Sequence, residues 1–260
     1  MLPIITSLQN PQIKNLVKLR QRRQRDRQKR MLIDGIRPLT LALRNNFPIE
    51  TLYYCEDRVS LVLLELARSK DTRLQPVSEM VFQKIGYGDN PDGHLGLAGQ
   101  PDFNLSYLPT RSNPLFLIAE GLEKPGNLGA ILRSADAAGI SGLIVCNSQT
   151  DIYNPNVIRA SQGAFFSVPI AVEDREKTFK WLREQGIQVY AAAPDAEQSY
   201  SDVNLTIPTA LVVGTEADGL SDDWFSFDTV SIPMHGQVDS LNVAQTATLL
   251  MFEAIRQRDK

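Results

Sequence analysis

Three segments of this 260-residue chain carry the polar residues best able to do chemistry. In EKPGNLGAILRSADAAG (123–139), a Pro-Gly turn places Asn127 to cap a helix. Arg133 falls on the side away from the apolar stripe Leu128, Ile131, Leu132, Ala135 and Ala138. In LVVGTEADGLSDDW (211–224), an apolar strand runs into Gly214, with Glu216 and Gly219 behind it. A glycine at the carboxyl end of a strand lets a ligand approach the backbone closely. In SIPMHGQVDSLNVAQTATLLMFEAIRQ (231–257), a strand ends at Ile232-Pro233 and a loop crosses Met234 to Asp239. A helix apolar nearly all round then opens with Ser240, Leu241 and Asn242. Taken singly, an exposed arginine, a capping asparagine, a tight turn and a docked terminal helix account for these features.

The commoner catalytic devices are missing from the sequence. There is no Walker-type phosphate loop, no G-x-G-x-x-G fingerprint and no G-x-S-x-G elbow. Only His94 and His235 could serve as imidazoles, and no metal-ligand spacing exists, so no metal is expected. Cys55 and Cys146 form no disulfide framework, and a reducing cytoplasm is the expected location. Any reaction has to proceed without a histidine base, a thiolate or a metal.

The elements that must position these residues are short and alternate in type. With 43% hydrophobic and 22% charged residues, the chain can bury a core, and extensive disorder is excluded. No apolar run approaches the roughly 18 residues of a membrane span, and MLPIITSLQNPQIK lacks the order of a signal peptide. A helix is predicted from Pro11, then strands at 52–55, 73–77 and 94–99 around a helix at 61–69. The stretch 101–114 reads as a linker. Beyond it, strands at 115–119, 142–146, 187–192, 210–214 and 229–233 alternate with helices at 127–138, 156–162, 173–185 and 240–257. Near-continuous apolar strands between helices predict an α/β domain with a largely parallel sheet.

Charge is unevenly spread. The net charge is −3, yet residues 1–44 hold eleven Lys/Arg against Asp26 and Asp34. The first part is therefore near +9 and the remainder near −12. Within 20–30, RQRRQRDRQKR has seven cations, one anion and no apolar residue, so it has no face to bury. Such a block is either a solvated face or a polyanion contact.

Together, in this order, the motifs N-x-G-x-x-x-R, V-x-G-x-E-x-x-G-L and I-P-M-x-G-x-x-x-S-L-N-V closely resemble the SpoU (TrmH-type) branch of the SPOUT RNA methyltransferases. The resemblance covers about 115–257. The segment 8–39 also resembles that family's L30e-like substrate-binding domain, with Asp34 where a Glu is common. The resemblance implies an L30e-like RNA-binding domain at 1–100, a linker at 101–114 and a SpoU catalytic domain at 115–260 with a trefoil knot. It implies methyl transfer from S-adenosylmethionine to a ribose 2′-hydroxyl of structured RNA, ribosomal or transfer, by a homodimer. Gly214, Ile232, Met234, Gly236, Leu241 and Val243 would hold the cofactor. Arg133, Asn127, Glu216, Ser240 and Asn242 match the polar active-site positions. Arg133 is either the base or, as a permanently charged guanidinium, a phosphate clamp. Lys18, Arg20, Arg22, Arg23, Arg25, Arg27 and Arg30 are the candidate RNA contacts. Two alternatives stay open: a catalytically silent RNA-binding assembly factor, and a base methyltransferase of the wider knotted superfamily.

Overall fold

The computed structural model describes residues 2–88, 91–109, 111–215 and 219–259. The chain forms two compact units, Met1–Asp102 with Asp151–Ser167, and Phe103–Thr150 with Val168–Lys260. In chain order the first part carries α1 (Pro11–Lys18), α2 (Arg22–Gln28), β1 (Arg30–Asp34), α3 (Ile36–Arg44) and β2 (Thr51–Cys55). It continues through α4 (Leu61–Arg68), β3 (Arg73–Val77), α5 (Glu79–Ile85) and β4 (His94–Gly99). Then follow β5 (Leu115–Glu120), α6 (Pro125–Ala138), β6 (Gly142–Cys146), α7 (Pro155–Ala160) and β7 (Ile170–Glu173). The chain closes with α8 (Arg175–Glu184), β8 (Gln188–Ala192), β9 (Thr209–Val213), β10 (Asp228–Val230) and α9 (Val243–Arg258).

The first unit is built on a mixed four-stranded sheet of order β1-β4-β2-β3, in which only β2 and β3 run parallel. One face packs Ile13, Leu16 and Leu19 with Val81, Phe82 and Ile85 over Leu32, Tyr53, Leu95 and Leu97. The segment Asp151–Ser167 completes this unit. Its Phe166 ring lies 4.9 Å from Phe47, and a Cβ on Gly163 (φ +97°) would run into Leu41.

The basic block departs from its sequence reading. Residues 22–28 are helical, and Arg25 is buried, with 2% of its surface exposed. Its guanidinium pairs with Asp151, 3.1 Å from Nε, and donates to the carbonyls of Leu19 and Arg20. A buried charge needs such partners. The helix therefore buries a cation where the sequence offered no apolar residue. Lys29, at φ +52°, then reverses the chain into β1, which the sequence reading missed.

The second unit is a six-stranded parallel sheet of order β10-β8-β9-β5-β6-β7. This is the α/β architecture the apolar strands predicted. On one face Phe116, Ile118, Val189, Ala191 and Val212 pack with Leu182 of α8 and with Trp224. The alternate residues of β5 face the other layer, where α6 and α9 pack together and α9 lies on β5 and β9. Within 101–114, Leu105 and Leu108 join the first of these cores. No helix among the described residues is long and apolar enough to cross a membrane.

Candidate active site

The carboxyl ends of β8, β9 and β10 open into one cavity of about 570 Å³. Its walls come from 192–195, from Val213–Thr215 with Gly219, and from Val230, Ile232 and Met234. Asp239, Ser240, Leu241, Val243 and Thr246 close it from the start of α9. Ligands of open parallel sheets bind outside the carboxyl ends of the strands, because the loops there diverge and leave a crevice.

Of the residues expected to hold a cofactor, Gly214, Ile232, Met234, Leu241 and Val243 line this cavity, and so does Ser240. Gly236 is not among its walls. The reason for glycine at 214 differs from the sequence reading. A Cβ there would lie 2.2 Å from the Gly219 carbonyl oxygen, so the backbone of the chain itself, rather than a ligand, makes the close approach. Thr215 and Gly219 exchange two backbone hydrogen bonds of 3.0 and 3.1 Å across that turn. Glu216 lies outside the described residues.

Asn127 is not a cap. Pro125 presets the helical φ, so α6 starts two residues earlier, with Lys124 at the N-cap position. Asn127 instead accepts a 3.2 Å hydrogen bond from the Asn242 side-chain amide. Asn242 itself caps α9 by accepting from the Ala244 N–H at 3.0 Å. The expected helical start at Ser240 is thus corrected: 240–242 is loop, and the helix opens at Val243. Arg133 is exposed while Leu128, Ile131, Leu132, Ala135 and Ala138 are buried, as the stripe predicted. Its neighbour Ser134 holds α6 to α9 through Thr248, 2.6 Å away.

Asp195, Asp239, Thr215 and Thr246 also line the cavity and were missed. The one signal that could have found them is position just beyond a strand's carboxyl end, which applies to Asp195 and Thr215. Burial pushes the Cys146 thiol up to about 12 and also raises Cys55, so neither is a nucleophile at neutral pH. Among the described residues no group of His, Cys, Asp and Glu could hold a metal ion.

The candidate RNA contacts separate into two kinds. Lys18, Arg22, Arg23 and Arg27 are exposed, Arg22 facing Asp26 at 3.6 Å. Arg20 donates to the Lys84 and Gly86 carbonyls and stacks 4.8 Å over Tyr87. Arg30 pairs with Glu50 at 2.8 Å. Arg25 is interior, so it offers nothing to a phosphate.

A parallel α/β sheet with a cavity at its carboxyl edge, and α6 tied to the loop over it by the Asn127–Asn242 bond, marks an α/β protein that binds a small ligand there. The SpoU rRNA Methylase family matches residues 114–252, and the MRM3-like substrate binding domain matches residues 10–96. The chain belongs to the SpoU rRNA Methylase family. It is 34% identical over 247 residues to the 23S rRNA (uridine(2479)-2'-O)-methyltransferase of Streptomyces viridochromogenes, covering 91% of this chain and 86% of that one. A crystal structure of an RNA 2'-O ribose methyltransferase is 40% identical with a TM-score of 0.87, covering 99% and 100%. The SpoU methyltransferase AviRb from Streptomyces viridochromogenes, in complex with AdoMet, is 32% identical with a TM-score of 0.88, covering 96% and 99%.

Proposed function

We infer that this chain methylates ribose 2′-hydroxyls of RNA with S-adenosylmethionine. The observation that carries this is the convergence of Gly214, Ile232, Met234, Ser240, Leu241 and Val243 on one cavity, with Asn242 of the same loop bonded to Asn127. The cavity fits the cofactor. Its volume is within the usual range for small ligands. Ile232, Leu241 and Val243 offer apolar surface for a purine, and Thr215, Ser240, Asp195 and Asp239 offer polar atoms for the amino-acid end.

When bound, S-adenosylmethionine supplies an electrophilic sulfonium methyl group. The protein's part is alignment and exclusion of water, the main requirements of an in-line displacement. The Asn127–Asn242 bond ties the first turn of α6 to the cap of α9 and so fixes the 240–242 loop over the cavity. Arg133, rigidly based on a helix buried along its other side, holds the phosphate beside the target ribose. A guanidinium grips phosphate bidentately and stabilises a developing alkoxide. We assign Glu216, from its place in the V-x-G-x-E-x-x-G-L motif, the role of helping to orient Arg133.

We further propose that RNA binding belongs to the unit built on residues 1–100, to which Asp151–Ser167 is added, and catalysis to the unit that holds the rest of 115–260, with Leu105 and Leu108 of 101–114 packed into its core. Lys18, Arg22, Arg23 and Arg27 supply phosphate contacts. A homodimer fits the exposed Leu249 and Phe252 on α9, and the cytoplasm, where rRNA and tRNA are found, is the proposed location. A knotted C-terminus is proposed from the membership of the SpoU rRNA Methylase family; at the end of α9, Gln257 and Arg258 bond Val203, Leu205 and Ile207. The test is to map 2′-O-methylation across rRNA and tRNA in a strain lacking the protein. One or more ribose sites losing methylation, restored by the wild-type chain, is expected. No lost site, with no methyl transfer in vitro, would leave the silent RNA-binding alternative.

A further inference from the structure

Strand β5 is apolar from Leu115 to Ala119 and then buries a carboxylate. Glu120 is 5% exposed, at the carboxyl edge of the strand that occupies the middle of the sheet. A carboxylate there is costly unless it is fully hydrogen-bonded. Its partners are specific. The Ser221 N–H donates to Oε2 at 3.0 Å, and the Ser221 hydroxyl lies 3.0 Å from both carboxylate oxygens. Arg175, at the start of α8, donates to Glu120 at 3.4 Å and to the Ser221 hydroxyl at 2.8 Å, and pairs with Asp223.

Ser221 follows Gly219 by two residues; Gly219 is bonded to Thr215 through two backbone hydrogen bonds, and Gly214, Thr215 and Gly219 line the cavity. The residue after Glu120 is Gly121, at φ +67°, and a Cβ there would sit 3.2 Å from the Thr215 methyl. Gly121 also begins the loop into α6, which carries Asn127 and Arg133. One buried carboxylate therefore stands where the cofactor turn and the loop into the catalytic helix meet.

We propose that Glu120 is a positioning residue for the transfer reaction: clasped by Ser221 and Arg175, it holds Gly219–Ser221, and through the Thr215–Gly219 backbone bonds also Thr215, in their cofactor-binding place against the loop that leads into α6. This rests on the assignment of the cavity to S-adenosylmethionine. Glu120 lines neither the cavity nor a substrate surface, so it acts through the turn and takes no part in the chemistry.

The test uses the full chain with Glu120→Gln, Ser221→Ala and Ser221→Thr. Calorimetric titration with S-adenosylmethionine should show Kd raised about tenfold in Glu120→Gln and Ser221→Ala. The double variant should be little worse than either single one, since both break the same clasp. Ser221→Thr, which keeps the hydroxyl, should recover wild-type binding. The KM for S-adenosylmethionine should rise while the KM for RNA stays unchanged. Amide exchange at Thr215 and Gly219 should accelerate, with the melting temperature of Ser221→Ala held within a few degrees. Cofactor Kd within twofold of wild type in both single variants overturns the positioning role. Absence of binding by the wild-type chain overturns the cofactor assignment itself, which separates the two failures.

Discussion

At the scale of the residue, exposure decides which arginines can reach a phosphate. Arg133→Ala removes a side chain that supports no core, so melting temperature and cofactor Kd should stay at wild-type values. Its turnover should fall more than tenfold, a barrier rise above about 1.4 kcal/mol. Single-turnover kinetics on the mapped RNA measure this, and a smaller effect would contradict an essential Arg133. In the basic helix, replacing Arg22, Arg23 and Arg27 with Gln should weaken RNA binding. It should also flatten the log-log salt slope by roughly 0.7 for each phosphate of single-stranded RNA that is no longer neutralised. An unchanged slope across three salt concentrations would make that face plain solvated surface. Arg25 behaves in the opposite way. Asp151→Asn leaves its guanidinium buried and unpaired, at a cost of about 3–5 kcal/mol, which urea denaturation reads directly. Asp34 adds a pH dependence. Burial raises its carboxyl to about 6, against the pull of Arg159 3.5 Å away. The folded value lies above the ordinary 3.8, so the contribution of the neutral form is complete below that pH and is lost as pH rises through 6. The gap corresponds to about 3 kcal/mol. Asp34→Asn does not titrate, so its stability relative to wild type should climb between pH 4 and 7. A difference constant with pH would contradict the shift.

At the scale of the element, what the sequence discloses depends on how far away the deciding contact is. Strands β5, β6, β8 and β9 are readable because each holds four or five successive apolar residues, too few for a helix, between helix-like segments. Strand β7 has only four residues, and Val172 on it is exposed, so no run marks it. Strand β1 is masked by the cations before it, since nothing local announces the left-handed Lys29. The start of α6 was misplaced by two residues because Asn127 looked like a cap while Pro125 had already set the helix. The motif residues of the cavity were legible through resemblance. Asp195 and Asp239 were not, because only the order β10-β8-β9 brings their loops together. The cap of α9 offers a prediction at this scale. Asn242→Ala loses the bond to Ala244 N and the bond to Asn127 together. A cap alone is worth about 1 kcal/mol. Turnover should fall further than that stability loss explains, and Asn127→Ala should add little once Asn242 is gone. Fully additive effects would show that the two side chains act separately.

At the scale of the whole molecule, the first unit is assembled from two stretches of chain, Met1–Asp102 and Asp151–Ser167. A fragment ending at residue 102 lacks Asp151, Phe166 and Arg159. It should therefore melt well below the intact protein or fail to fold, as circular dichroism would show. Cooperative unfolding of that fragment at the wild-type temperature would make the second stretch dispensable. The same arrangement sets a timetable during synthesis. Arg25 and Asp151 are 126 residues apart. At about 5–20 residues per second, the ribosome needs roughly 6–25 s to make the intervening chain. For that interval Arg25 in the nascent amino-terminal stretch lacks its Asp151 carboxylate, beside the very polymer that ribosomes are made of. Completion of the first unit has to wait until two strands of the second have already emerged.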